Sequence, residues 1–134
     1  MILYVAALPS SICQSIIDKI YPDTRFMLSP ACSRSFGKKR IPFLYRRGFA
    51  LDNGAYSYYL KGQDFNEKAF LNLCDKHAEH ADWIVVPDHV GDWKKTCEMA
   101  MRWVNVLIPY NRPLMMVAQD GSEKNDFETL KSWV

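Results

Sequence analysis

Two carboxylates and one carboxamide, Asp52, Asp88 and Gln119, recur along this chain at intervals of roughly 30 residues, each after a short apolar run. A carboxylate accepts hydrogen bonds, whereas a carboxamide both donates and accepts them. The set therefore suits a neutral ring that carries N–H donors, such as a purine. Asp92 and Asp120 lie close by in sequence, and no strand-end lysine, serine–histidine pair or glycine-rich phosphate loop accompanies these positions. The pattern favours a purine ligand over a phosphate.

The segments around these positions alternate between the patterns of strands and helices. Continuous apolar runs rich in β-branched and aromatic residues are typical of strands buried in a parallel sheet. They predict strands at Met1–Leu8, Phe49–Asp52, Trp83–Val86 and Leu114–Ala118. Apolar residues at helical spacing predict helices at Ser11–Ile20, from Asp64 to about Glu79, from Asp92 to before Pro109, and at Ser122–Val134. Strands joined by helices run parallel with right-handed crossovers, which indicates an α/β fold.

Two of the helices carry capping signals. Asp64 and Glu67 form a D-x-x-E capping pair, and Asp92 is placed to cap the following helix. The residues expected to be buried are Phe65, Ala69, Phe70, Leu73, Cys74 and His77 in the first of these helices, and Trp93, Cys97, Ala100, Met101 and Val104 in the second. His77 and His80 stand three residues apart without a third ligand beside them, so a metal site is not favoured.

Between Tyr21 and Arg47 the periodicity fades and prolines interrupt the chain, which predicts a long loop. A loop of this length inside a compact domain is a candidate substrate-contacting element. Its cations are interleaved with Phe43 and Tyr45, a composition that resembles a nucleic-acid contact surface. The cations in question are Lys38, Lys39, Arg40, Arg46 and Arg47. Solvated loop charges would produce the same composition.

The composition is that of one globular unit, since the 134 residues are 49% hydrophobic and 24% charged. The formal net charge of +2 neither demands nor excludes a nucleic-acid partner. No apolar run reaches the roughly 20 residues needed to cross a bilayer, so a membrane role is not supported. Four cysteines without a C-x-x-C pair, and an N-terminus without a secretory pattern, indicate a reduced, cytoplasmic protein.

In a parallel array of strands and helices, the carboxyl-terminal strand ends gather at one edge, where ligands bind. Asp52, Asp88 and Gln119 are therefore expected to converge. An aspartate after a strand also often caps a helix or begins a turn, so each residue alone has a structural explanation. Three such residues in phase favour a shared binding site.

Three motifs, one in each strand–helix repeat, resemble those of the guanine transglycosylase family. The segment Leu51–Tyr56 (L-D-N-G-A-Y) resembles the D-S-G-G-F/Y motif of tRNA-guanine transglycosylases, and more closely the D-N-G-A-F form of the deoxypurine-in-DNA protein A group. Val86–Asp92 (V-P-D-H-V-G-D) is similar to that group's strand-end aspartate motif, and Val117–Gly121 (V-A-Q-D-G) to the family's V-Q-G strand end. The resemblance implies the N-terminal half of a TIM-type (β/α) barrel over residues 1–134, with about four parallel strands.

The resemblance also implies a role for each residue. Asp52 would act in acid–base chemistry, Asp88 would accept from the pyrimidine edge of the purine, and Gln119 would bind its exocyclic oxygen. Tyr56 is the expected stacking partner of the base. Further candidates for the base pocket in the same loops are Asn53, Gly54, His89, Asp92 and Gly121.

The implied activity is the exchange of a guanine base in DNA or tRNA for a deazapurine, and the closer D-N-G-A form favours DNA. The family's nucleophilic aspartate and zinc ligands come from later strands, so we expect both beyond residue 134, with further sequence, an oligomer or a second chain completing the barrel. No cofactor is expected within the chain itself.

Two other functions stay open. One is a Mg²⁺-dependent hydrolase that uses Asp52, Asp88, Asp92 and Asp120 as oxygen ligands. The other is a non-catalytic module that binds a purine or a nucleic acid without breaking a bond.

Overall fold

The computed structural model describes residues 2–6, 19, 21–33 and 41–122, and within them the chain forms a five-stranded sheet. The strands are β1 (Tyr4–Ala6), β2 (Arg25–Leu28), β3 (Phe49–Leu51), β4 (Ile84–Val85) and β5 (Leu114–Met115). The α-helices of the same residues are α1 (Pro30–Ser33), α2 (Ile41–Arg47), α3 (Ala55–Tyr59), α4 (Glu67–His77) and α5 (Trp93–Leu107). Short 3-10 helices follow α4 at Ala78–His80 and α5 at Ile108–Tyr110.

The strands lie in the order β1-β2-β3-β4-β5, and every neighbouring pair is parallel. Spatial order follows chain order, so every connection crosses in the same direction. Right-handed crossovers of this kind place the connecting helices on one face of the sheet. The prediction of an α/β fold with a parallel sheet is confirmed.

The prediction of a long loop between Tyr21 and Arg47 is wrong, because this segment contributes β2, α1 and α2. β2 has only four residues, and it is defined by its pairing with β1 and β3 rather than by a pattern visible in its own sequence. The expected count of about four strands is therefore too low for the described residues. Lys38, Lys39 and Arg40 lie outside those residues.

The core lies between the sheet and the helices. It contains Phe26, Leu28, Phe49, Leu51, Ile84 and Val86 from the strand segments, and Phe70, Leu73, Cys74, Ala100, Trp103 and Leu107 from α4 and α5. In each strand these residues occupy alternate positions, so the residues between them point to the opposite face of the sheet. This alternation decides which of the residues at the strand ends share a face.

The helix α4 begins later than predicted. Its N-cap is Asn66, whose side chain accepts a hydrogen bond of 2.9 Å from the Ala69 N–H, so Asp64 is not the cap. Asp92 caps α5 as predicted, because its side chain accepts from the Lys95 N–H at 3.0 Å. The first prediction failed because the D-x-x-E pattern and the true cap lie within one turn of each other, and only the backbone path decides between them.

The buried face of α4 contains Phe70, Leu73, Cys74 and His77 as predicted. The buried face of α5 consists of Trp93, Thr96, Ala100, Trp103 and Leu107, whereas Met101 is 58% exposed. The predicted stripe of α5 is thus rotated from the true one. Trp103 lies on the buried face instead, and its indole packs against the rings of Phe65 and Phe70.

The strands are also shorter than predicted at their ends. β3 ends at Leu51, immediately before Asp52, and β5 ends at Met115, so Gln119 lies in the loop that follows it. The predicted helices at Ser11–Ile20 and Ser122–Val134 lie almost entirely outside the described residues. Among the helices of the described residues, none combines the length and the apolar composition of a membrane span.

Candidate functional site

The turn after β3 is built around Asn53 and Gly54. Asn53 is fully buried, and its Oδ1 accepts a hydrogen bond of 2.6 Å from the Ala55 N–H, which closes the turn into α3. Gly54 adopts a φ of +78°, and a Cβ at this position would lie 3.3 Å from Pro30 Cδ. Both the dihedral angle and the close approach therefore favour glycine here.

Asp88 lies at the centre of the site. Its side chain follows β4 and is only 8% exposed. Asn53 Nδ2 donates to Asp88 Oδ1 at 2.7 Å and also to the Val86 carbonyl at 2.9 Å. Gln119 Nε2 donates to Asp88 Oδ2 at 2.6 Å. The segments that follow β3, β4 and β5 are thus joined through one carboxylate.

The orientation of both amides follows from their other partners. Asn53 Oδ1 accepts from Ala55, as described, and Gln119 Oε1 accepts from the Gly91 N–H at 2.9 Å. Turning either amide over would place its NH₂ group against a backbone N–H. Both amides therefore present N–H to Asp88, which is the arrangement that suits an ionised carboxylate accepting on each oxygen.

Burial and hydrogen bonding act in opposite directions on Asp88. Burial raises the pKa of this carboxyl above its usual range, while the hydrogen bonds from Asn53 and Gln119 oppose that rise. The pKa of Asp52 is also raised, first by burial and further by the charge of Asp88, against hydrogen bonds from the backbone of Gly54 and Asn53. Asp52 therefore holds a proton more readily than an exposed aspartate, which is the property required of an acid–base group.

The structure thus brings Asp88 into direct contact with Asn53 and Gln119, with Asp52 near enough for its pKa to respond to Asp88. The convergence expected from the sequence is present. Asn53 was expected only as one of several pocket candidates, and its link between β3 and β4 is a tertiary contact that no local pattern reveals.

The other candidate residues of these loops hold different positions. Tyr56 lies on α3 with 62% of its surface exposed, and its ring is nearly parallel to that of Tyr59 at a centroid distance of 6.5 Å. His89 is exposed, and its backbone exchanges hydrogen bonds with the Thr96 hydroxyl. Asp92 is engaged as the cap of α5, which provides a structural reason for that residue. Asp120 is exposed, and Gly121 adopts a φ of +95° in the turn after Gln119.

The basic residues lie elsewhere. Arg46 and Arg47 end α2, just before β3, whereas Asp88 follows β4, so the parallel sheet places them at opposite edges. Arg47 donates to the carbonyls of Pro22 and Tyr21, and its guanidinium lies 5.9 Å from the Phe43 ring. Together with Arg25, these arginines line a cavity of about 320 Å³ at the amino-terminal edge of the sheet. The structure does not bring Arg46 and Arg47 together with the carboxylate cluster.

His77 and Cys74 are buried side chains of α4. The His77 Nδ1 lies 3.0 Å from the Tyr45 hydroxyl, and burial lowers the pKa of His77. Cys74 is a buried free thiol whose pKa is raised by burial to about 12. Among the described residues, no group of three or more histidine, cysteine, aspartate or glutamate side chains is placed to hold a metal ion.

Ser29 belongs to the same edge but was not expected there. It follows β2 directly and is 5% exposed, beside the turn that contains Gly54. Sequence reasoning missed it because β2 was interpreted as part of a loop. The available signal was the Ser-Pro pair after R-F-M-L, which has the form of a strand end.

Protein-family models, curated proteins and solved structures contain no match to this chain. What the site binds must therefore be inferred from its own hydrogen-bonding groups.

Proposed function

We propose that the chain is a guanine transglycosylase-like protein that binds guanine or 7-deazaguanine at the carboxyl ends of β3, β4 and β5. In this proposal it takes part in exchanging the base in a nucleic acid, with DNA favoured over tRNA. The sheet, whose strands follow chain order in a TIM-type barrel as well, would form part of such a barrel. The cytoplasm is the compartment in which this activity would take place.

The observation that carries the proposal is the clamp on Asp88 by Asn53 and Gln119. Each Asp88 oxygen accepts one hydrogen bond from a side-chain amide, and a carboxylate oxygen has two acceptor positions. Gln119 Nε2 retains one further N–H donor. The site therefore offers two acceptors, Asp88 Oδ1 and Oδ2, followed by one donor, Gln119 Nε2. Guanine presents the complementary groups in the same order, N2–H, N1–H and O6.

Asp52 and Tyr56 would complete the contacts to the base. The raised pKa of Asp52 suits it to give a proton to the departing base or take one from the incoming base. Tyr56 has an exposed ring at the start of α3, within the same turn, and would stack on the purine face. The nucleophile that attacks the sugar would come from outside these residues, as would any zinc site, so no step passes through a metal held here.

Calorimetric titration with guanine tests the base-binding part of the proposal. We expect Asp88→Asn to weaken guanine binding by about 100-fold, because one acceptor becomes a donor that faces N1–H. An unchanged affinity would count against the site. Loss of binding through misfolding must be separated from loss of recognition, and the structure supplies the variant that does so.

The double variant Asp88→Asn/Gln119→Glu exchanges the amide and the carboxylate. The new amide at position 88 accepts from Asn53 and donates to the new carboxylate at position 119, which still accepts from the Gly91 N–H. Every internal hydrogen bond is thus retained, while the pattern offered to a ligand becomes acceptor, donor, acceptor. We expect this variant to fold, to lose guanine and to prefer 2,6-diaminopurine, whose edge is complementary to the new pattern.

Exchange of labelled guanine into DNA and into tRNA tests the catalytic part of the proposal. Exchange that is lost in Asp52→Asn while guanine still binds would support it. Guanine binding without exchange, both for this chain and for a longer chain that supplies the remaining strands, would instead identify a purine-binding module.

A further inference from the structure

The cavity at the amino-terminal edge of the sheet lies apart from the candidate base site and is lined mainly by charged side chains. Its lining residues are Ile2, Pro22, Asp23, Arg25, Arg46 and Arg47. Its volume of about 320 Å³ falls at the lower end of the range for small-molecule sites, roughly 300 to 1,000 Å³. The cavity is therefore large enough for a small ligand and rich in hydrogen-bond donors.

Arg25, the first residue of β2, is held in place before any ligand binds. Its Nη1 donates to Asp82 Oδ1 at 2.8 Å and lies 3.5 Å from the Tyr4 hydroxyl. The stem of the side chain passes close to Gly48, where a Cβ would lie 2.9 Å from Arg25 Cδ. The Nε and Nη2 groups form no hydrogen bond with the described residues, so their donors are available to a ligand.

The two arginines at the end of α2 differ in how they are held. Arg47 donates to the carbonyls of Pro22 and Tyr21, which fixes its guanidinium at the cavity. Arg46 is exposed and forms no hydrogen bond or ion pair with the described residues. Fixed donors lower the entropy that binding must overcome, and the more mobile Arg46 can adjust to the ligand.

The charges around the cavity favour an anion. Three arginines outnumber two carboxylates, Asp23 in the lining and Asp82 in its ion pair with Arg25. A guanidinium group matches the geometry of both carboxylates and phosphates. Three guanidinium groups around one cavity can bond to the three terminal oxygens of a phosphoryl group, whereas a carboxylate has only two oxygens. The number of arginines therefore favours a phosphoryl group.

We propose that this cavity binds the phosphoryl group of a small phosphorylated molecule, with Arg25, Arg46 and Arg47 donating to its oxygens. The apolar side chains of Ile2 and Pro22 would contact the organic part of the ligand. This site is independent of the proposed base site, which lies at the opposite edge of the sheet. Either site can be present without the other.

Calorimetric titration with phenyl phosphate and with benzoate tests the proposal. We expect phenyl phosphate to bind the wild-type protein about 10-fold more tightly, the effect of one additional charge-assisted hydrogen bond. Arg46→Gln should weaken phenyl phosphate by about 10-fold for the same reason. Arg102→Gln removes the same charge from an exposed arginine that pairs with Glu67 outside the cavity, and it should leave the affinity unchanged.

Asp23→Asn should have the opposite effect. Removing this negative charge from the lining should tighten phenyl phosphate by about threefold, because the carboxylate repels the anion. Asp64→Asn, at an exposed aspartate outside the cavity, should change nothing. Equal losses in Arg46→Gln and Arg102→Gln, or equal gains in the two aspartate variants, would reveal an effect of net charge alone and overturn the proposal.

Two further outcomes decide the nature of the ligand. If benzoate binds as tightly as phenyl phosphate, or if the wild-type protein binds neither, the phosphoryl site is wrong whatever the result at the base site. A short single-stranded oligonucleotide without terminal phosphates carries the same chemistry in its backbone. Displacement of phenyl phosphate by this oligonucleotide would assign the cavity to nucleic acid instead, whereas no displacement supports a small phosphorylated ligand.

Discussion

The two edges of the sheet each hold an aspartate, half-buried in Asp82 and buried in Asp88, but the neighbouring groups compensate the two charges in different ways. At the amino-terminal edge, Asp82 Oδ1 pairs with Arg25 Nη1 at 2.8 Å, and its Oδ2 accepts from the Tyr4 hydroxyl at 3.0 Å. At the carboxyl-terminal edge, the side-chain partners of the Asp88 carboxylate are the neutral amides of Asn53 and Gln119. One carboxylate is neutralised by a cation and the other is solvated by fixed dipoles.

This difference is what the proposed binding role of Asp88 depends on. The charge of Asp82 is already matched, and a ligand there would have to compete with an arginine. Asp88 lies in a buried position, where each additional donor to its carboxylate is worth more than it would be in water. In the proposed function, a donor-bearing ring would therefore bind Asp88 without competing with a cation.

The largest effect on stability is expected at the amino-terminal edge, from Gly48→Ala. Gly48 has a φ of +87°, and a Cβ there would lie 2.9 Å from Arg25 Cδ and 3.1 Å from Asp82 Oδ2. The substitution combines backbone strain with displacement of the ion pair, so we expect the free energy of unfolding to fall by about 3 kcal/mol in denaturant titration.

Gly62→Ala is the matched control for this prediction. Gly62 also has a positive φ, of +61°, but a Cβ there would meet nothing within 4 Å. It should lose only about 1 kcal/mol, the cost of the dihedral angle alone. Equal losses at the two glycines would show that the packing between Arg25 and Asp82 contributes nothing measurable.

An intermediate effect is expected at the carboxyl-terminal edge. Asp88→Asn leaves one amide N–H facing another, since Asn53 and Gln119 are both held in orientation by backbone groups. We expect it to lower the free energy of unfolding by about 2 kcal/mol. Adding Gln119→Glu should recover most of the lost stability, because the double exchange re-forms the hydrogen bonds between positions 53, 88 and 119. A double variant less stable than the single one would contradict the arrangement described for the two amides.

The smallest effect is expected from Asp52 and depends on pH. Because the pKa of Asp52 is raised in the folded protein, the folded state binds this proton more tightly than the unfolded state. The resulting stabilisation is present at low pH and is lost as the pH rises through the raised pKa. Asp52→Asn removes the ionisation, so its melting temperature should exceed that of the wild type by a few degrees near neutral pH.

The measurement is thermal unfolding of both proteins between about pH 4 and pH 8, a range that begins near the ordinary carboxyl pKa. The gap between the two melting temperatures should close toward the acidic end. A gap that is constant with pH would mean that Asp52 is solvated as well in the folded chain as in the unfolded one. That result would contradict the proposed proton-transfer role of Asp52.

Local sequence determined the features that depend on a few neighbouring residues. Asp92 caps α5 through the Lys95 N–H three residues on, and Asn53 closes its turn through the Ala55 N–H. The strand-and-helix alternation was also visible, since apolar periodicity reports how each segment is buried. From these features alone, the convergence of Asp52, Asp88 and Gln119 could be predicted.

Only the tertiary structure decided the contacts between distant segments. β2 has four residues and is a strand because it pairs with β1 and β3. This pairing places Ser29 at the carboxyl-terminal edge of the sheet. Arg46 and Arg47, at the end of α2, lie at the opposite edge. The sequence indicated only that Asn53 forms a turn. The structure shows that its amide also donates to Asp88, 35 positions later in the chain. A hydrogen bond within a turn depends on nearby backbone angles, whereas one across strands depends on the register of the whole sheet.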